Sequence, residues 1–263
     1  MKEKYKTKGV KTESSRSLQC SSISSYSVKN KKTEVLTGMK KLIMVVAMLM
    51  LFATVVKAEG LNMVGQSGGF YVPDAQIAQR LTLATHYINM DGYGVNTVSI
   101  TGGVFKNFEL GFSRVDLLSE NINVYHAKAG LNFDVKPAKI FVALGVDGGD
   151  IESVSALNYL NYYAAGQCNF QLFKKNATVD LVARSSDSTG EREYTGEALV
   201  GIELVPHWSV FSEFRQNVTA ATNNWSLFVR KANGIATIDA GVADTGATTG
   251  NQFFLGLSIT IGD

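Results

Sequence analysis

Apolar residues recurring at every second position, an export signal ahead of them, and connections that alternate short and long together predict the fold class. The chain reads as all-β, a transmembrane antiparallel up-and-down β-barrel of twelve strands preceded by a signal peptide.

Residues 1–38 are rich in Lys and Ser and poor in apolar residues, so they read as a disordered basic extension and as a misassigned translation start, with Met39 as the true one. Residues 39–58, MKKLIMVVAMLMLFATVVKA, form a signal peptide: Lys40 and Lys41 are the positive region, Leu42 to Val56 the apolar core, and cleavage is expected after Ala58. The apolar run falls short of the ~20 residues that span a bilayer as a helix. Residues 1–58 hold 12 of the 25 basic and 3 of the 23 acidic residues, leaving 13 and 20, net −7, which removes any basic surface for nucleic acid. Cys20 precedes the cleavage point, so Cys168 is alone in the exported part and reads as a small buried thiol on the apolar face of its strand.

Residues 59–80 contain GQSGGFYVPDAQIAQR and read as an irregular or short extended lead-in that caps the barrel's periplasmic end, the pattern leaving open whether this segment or a loop plugs the lumen. Residues 81–263 are the barrel. Candidate strands run 81–90, 97–105, 108–116, 123–135, 140–147, 159–172, 177–184, 195–205, 208–217, 224–230, 235–243 and 252–261. The clearest is the pair around Pro206-His207. On its first limb Ala198, Val200, Ile202 and Leu204 oppose Glu197, Leu199, Gly201 and Glu203; on its second Trp208, Val210 and Phe214 oppose Ser209, Phe211, Glu213 and Arg215. An apolar row turned to lipid and a polar row turned to a wet lumen accounts for this, and a soluble sandwich burying the apolar row is the alternative. Lipid-type rows elsewhere include Val98/Ile100/Val104, Phe108/Leu110/Phe112, Leu131/Phe133, Ile140/Val142/Leu144/Val146, Val179/Leu181, Trp225/Leu227/Val229 and Leu255/Leu257/Ile259/Ile261.

Short turns are expected at 106–107, 136–139, 174–176, 206–207 and 231–234, and longer external loops at 91–96, 117–122, 148–158, 185–194, 218–223 and 244–251. Tyr87, Tyr159, Tyr162, Tyr163, Tyr194, Trp208 and Trp225 fall near strand ends, where amphipathic rings suit the headgroup layer.

Two stretches carry resemblances. Gly65, Gly68 or Gly69, Pro73 and Ala75 are similar to the G-x-x-G-x-x-x-x-P-x-A lead-in of barrels associated with bacterial exopolysaccharide secretion, which implies an envelope-assembly or polysaccharide-export partner role. The end of the chain resembles the C-terminal assembly signal of bacterial outer-membrane barrels in Gly256, Ile259 and Ile261, although Gly262-Asp263 stands where an aromatic residue usually closes it. The resemblance implies outer-membrane location and recognition by the barrel-assembly machinery, with membrane lipid and lipopolysaccharide as the surroundings.

Lumen-lining candidates are Glu109, His126, Lys128, Asp147, Asp180, Arg184, Glu197, Glu203, Glu213, Arg215, Arg230 and Asp239. Mixed signs on neighbouring strands predict ion pairs: Lys128 with Asp147, Arg184 with Glu197, and Arg230 between Glu213 and Asp239. Seven acids against four bases leave a weak cation preference. His86, His126 and His207 lie in no arrangement of nucleophile and base, and no metal-ligand spacing or phosphate-binding glycine loop is present, so no enzymatic activity, cofactor or metal is expected. Twelve strands enclose more than side chains must fill. The expected role is porin-like passage of small solutes or ions, or a structural one in the envelope; a soluble binding protein is the alternative from another class.

Overall fold

The structure, a computed structural model, describes residues 60–90, 93–117, 120–151, 159–188, 191–244 and 250–261. The predicted extension 1–38, the signal peptide 39–58 and the cleavage point at Ala58 lie outside the described residues. The twelve strands are β1 (Leu81–Met90), β2 (Tyr93–Phe105), β3 (Phe108–Leu117), β4 (Glu120–Val135), β5 (Ala138–Ile151), β6 (Tyr159–Leu172), β7 (Lys175–Ser188), β8 (Glu191–Val205), β9 (Trp208–Asn217), β10 (Thr222–Asn233), β11 (Ala236–Asp244) and β12 (Gln252–Ile261). Each pairs antiparallel with its sequence neighbours, and β1 also pairs with β12, so the sheet closes on itself with no edge. Closure excludes the two-layered sandwich.

The period-two pattern is what decides the faces. Val98, Leu144 and Leu181 are 62 %, 68 % and 63 % exposed, and Phe108, Leu110, Leu131, Val200, Phe214, Leu227 and Leu255 are exposed with them, while Ser99, Ala143, Asp180, Val182, Leu199, Glu213, Ser226 and Phe254 between or beside them are buried. So large a band of exposed apolar side chains around a closed sheet is stable only against hydrocarbon. Cys168 shares the outer face, opposite Ile140 and Val179, and is half-buried there rather than buried in a core.

Two-residue turns at 106–107, 136–137, 173–174, 206–207 and 234–235 join the strands at the end where β1 begins and β12 ends, here the turn end. Phe173, Lys174, His207 and Gly234 take positive φ there, as tight hairpins matched to strand twist require. At the opposite, loop end the strands run further than the sequence suggests. Segments read as loops at 91–96, 117–122 and 185–194 are mostly ladder, down to two-residue connections at 91–92, 118–119 and 189–190. Polar residues there mislead a pattern reading, because a ladder needs only backbone partners. Of the aromatics expected at the headgroups, Tyr87, Tyr162, Tyr194 and Trp208 are exposed on the outer face, whereas Tyr163 is buried inside.

Candidate functional site

The lumen is not an open, water-filled passage. Residues 60–80, expected to cap the barrel's end, instead fold inside it, where Leu61, Asn62, Gln66, Ser67, Phe70, Val72, Ala75 and Ala78 are buried. The segment has its own small architecture. The side-chain oxygen of Asn62 accepts from the backbone N–H groups of Val64 (3.1 Å) and Gln66 (2.8 Å), closing a local turn in place of a ladder. Leu61 bridges Ser67 and Gly68 bridges Pro73. Gly65 sits at φ 87°, and a side chain at Gly69 would collide with the Glu213 carboxylate and Leu199, so the paired glycines let backbone reach the lumen wall.

Two wall carboxylates, Glu213 and Glu109, accept from the plug's backbone N–H groups. Glu213 Oε1 accepts from Phe70 N (2.7 Å) and Val72 N (3.2 Å), Tyr71 N lies 3.1 Å from Oε2, and the Ser226 hydroxyl donates to Oε2 (2.5 Å). Three consecutive backbone donors converge on one buried anion, the arrangement of an anion-binding nest. Glu109 accepts from Ala78 N (2.7 Å) and from Ser67 through its hydroxyl (2.8 Å) and backbone N–H (3.3 Å). Lys128, fully buried, lies 3.2 Å from Glu109 and 3.5 Å from Asp74 and bonds the Ser67 hydroxyl. Its predicted partner Asp147 lies elsewhere. A four-residue turn at 136–139 would set Lys128 opposite Asp147, but the turn has two residues, so the ladder slips by two and Lys128 faces Gly145 on β5; on its other side the β3 ladder sets it opposite Glu109. On the plug itself, burial raises the Asp74 carboxyl above the ordinary carboxylate range, with the Lys128 ammonium opposing it. Burial likewise raises the Tyr71 phenol.

The remaining candidates all face inward. Arg184 bonds Asp147 (2.7 Å) and Glu197 (2.9 Å), Arg215 lies 3.4 Å from Glu197, and Asp147 also accepts from Gln66 of the plug (3.0 Å) and Asn161 (2.6 Å). Arg230 grips Asp239 with two bonds (2.8 and 2.7 Å) and donates to Gly68 O, while Glu213, predicted as its second partner, is committed to the plug. His126 lies 3.4 Å from Glu109, and Glu203 stands at the turn-end rim with Asn176 donating to it (2.5 Å). Asp180 is buried with one oxygen unpartnered.

Toward the loop end the filling turns apolar. Phe70 stacks on Phe254 at 3.7 Å between ring centres and joins Ile88, Val95, Val115, Val124, Phe228 and Ala243 in one cluster. Val72 and Ala75 pack a second one with Ala143, Tyr163, Ala165, Val182 and Leu199. What remains open is a polar cavity of about 1010 Å³ lined by both plug residues and turn-end wall residues. The sequence pattern did not single out Lys139, which lines this cavity, and did not place residues 60–80 in the lumen; the signal available for the plug was a glycine-rich stretch without periodicity directly ahead of β1.

No protein-family model and no curated protein matches the chain. Among solved structures, the chain is similar to the KdgM porin, with a TM-score of 0.55 at 12 % identity over 69 % of this chain and 99 % of that one. It is also similar to the KdgM porin in complex with disordered oligogalacturonate, with a TM-score of 0.54 at 12 % identity over the same shares. This chain therefore has the fold of a bacterial outer-membrane β-barrel.

Proposed function

We propose that the protein is a gated porin-type barrel, closed at rest by its own residues 60–80, and that it passes small neutral or cationic solutes once that segment leaves its seat. The observation that carries this reading is the grip of Glu213 on three consecutive N–H groups of the plug. The bonds are specific enough to define one seated position, yet they are hydrogen bonds that can break and re-form while the segment stays tethered to β1. Anionic cargo, such as the oligogalacturonate named for the similar porin, finds little support here. Lys128, Arg184, Arg215 and Arg230 are each already paired with a carboxylate, so these four cations form no free basic track among the described residues.

Planar-bilayer recording of the refolded chain tests the reading. The wild type is expected to stay closed for most of the record and Glu213→Ala to open often, with reversal potentials favouring cations. A folded Glu213→Ala variant as silent as the wild type would leave a purely structural role, and a wild type that conducts steadily would show that the plug does not close the lumen.

A further inference from the structure

Among the described residues, the buried lumen carboxylates divide unevenly. Glu109 faces Lys128, Asp147 and Glu197 share Arg184, Asp239 holds Arg230, and Glu213 has three backbone donors and a hydroxyl. Asp180 on β7 has none of these. It is 1 % exposed, its Oδ2 has only the Gln167 amide at 3.4 Å, and its Oδ1 has no partner. Beside it on β6, Gln167 Oε1 and Asn169 Oδ1 are also buried without a donor, the Gln167 amide having turned its nitrogen to Thr178 (3.1 Å) and Asp180. The three side chains are neighbours on the inner face, Gln167 opposite Asp180 and Asn169 opposite Thr178. All three line the polar turn-end cavity, as does Asp74 of the plug.

Three orphaned oxygens, one of them on a carboxyl group, leave an excess of acceptors with nothing to donate to them, and buried groups of that kind call for a partner. A neutral polyol would satisfy the hydrogen bonds but leave a deprotonated Asp180 without a counter-charge. We propose that Asp180, Gln167 and Asn169 form a site for a hard divalent cation, calcium or magnesium, entered from the turn-end cavity, with waters in that cavity completing the oxygen shell. No cluster of three His, Cys, Asp or Glu that could hold a metal exists among the described residues, so this site is built on one carboxylate and two amide oxygens. So low a ligand charge places it among weak sites, with a Kd of roughly 0.1–1 mM. Of the cations lining the cavity, Arg230 is committed to Asp239, and Lys139 lies 3.8 Å from Asp134. Arg80 also lines it and has an unpartnered Nη1, which makes it the internal competitor for the site. The site does not depend on whether solutes pass through the barrel.

Calorimetric titration of calcium chloride, and separately magnesium chloride, into the detergent-folded chain tests the proposal, with folding of each variant checked by heat-modifiable migration. Saturable binding at one site is expected, weakened at least 10-fold by Asp180→Asn and several-fold by Asn169→Leu, and strengthened by Arg80→Gln. Thermal unfolding adds a second readout: calcium raises the Tm of the wild type and leaves that of Asp180→Asn unchanged. Absence of saturable binding between pH 5 and 9, which would mean that Asp180 carries a proton instead, overturns the proposal, and so does equal affinity in Asp180→Asn.

Discussion

Replacing Glu213 by alanine removes the acceptor for Phe70 N, Tyr71 N and Val72 N together. The Ser226 hydroxyl can rotate to another acceptor, but the three N–H groups are fixed by the backbone. An orphaned buried donor costs about 1–3 kcal/mol. Taking the low end, because water can enter the space left by the side chain, gives about 3 kcal/mol, and release of a buried carboxylate from its desolvation offsets part of it. A net loss of about 2–3 kcal/mol multiplies the unseated population by roughly 30 to 150. The assay is maleimide labelling of Val72→Cys in a Cys20→Ser, Cys168→Ser background, since Val72 is fully buried when the plug is seated. The labelling rate should rise by on the order of 10²-fold with Glu213→Ala and by much less with Glu213→Gln, which keeps one carbonyl acceptor. An unchanged rate in a folded Glu213→Ala barrel would refute the idea that this carboxylate holds the segment in place.

Other perturbations separate wall from plug. Leu144→Arg puts a cation on the lipid face at a cost of about 2–4 kcal/mol near the midplane and should block insertion, scored as loss of the heat-modifiable band. Ala143→Arg, which an empty lumen would accept, instead meets Val72 and Ala75; the barrel should insert but carry about 1–3 kcal/mol of overpacking, read as faster Val72→Cys labelling. Phe70→Ala removes the ring stacked on Phe254 and should weaken the seat by about 3–5 kcal/mol, visible as proteolytic nicking within residues 60–80 of the folded protein. Lys128→Met strands Glu109 as a buried charge at about 3–5 kcal/mol, and adding Glu109→Gln should restore much of the thermal stability; no recovery in the double variant would argue against that pair.

The period-two alternation determined by itself which side chains face out and which face in. Leu144 and Ala143 separate as exposed and buried because a strand offers only two faces, and that property is local to each segment. The count of strands followed from the same pattern. Register did not, since it depends on turn length to the residue: one turn shortened from four residues to two moved Lys128 from Asp147 to Gly145 on β5, and the separate β3–β4 ladder set it opposite Glu109. Nor did the contents of the lumen. Phe70 and Glu213 lie 143 positions apart, and they meet because ring closure gathers distant strands around a common interior, where a non-repeating segment finds its hydrogen-bond partners. Alternation states that a residue points inward; only the closed sheet decides whether it meets water or the protein's own chain.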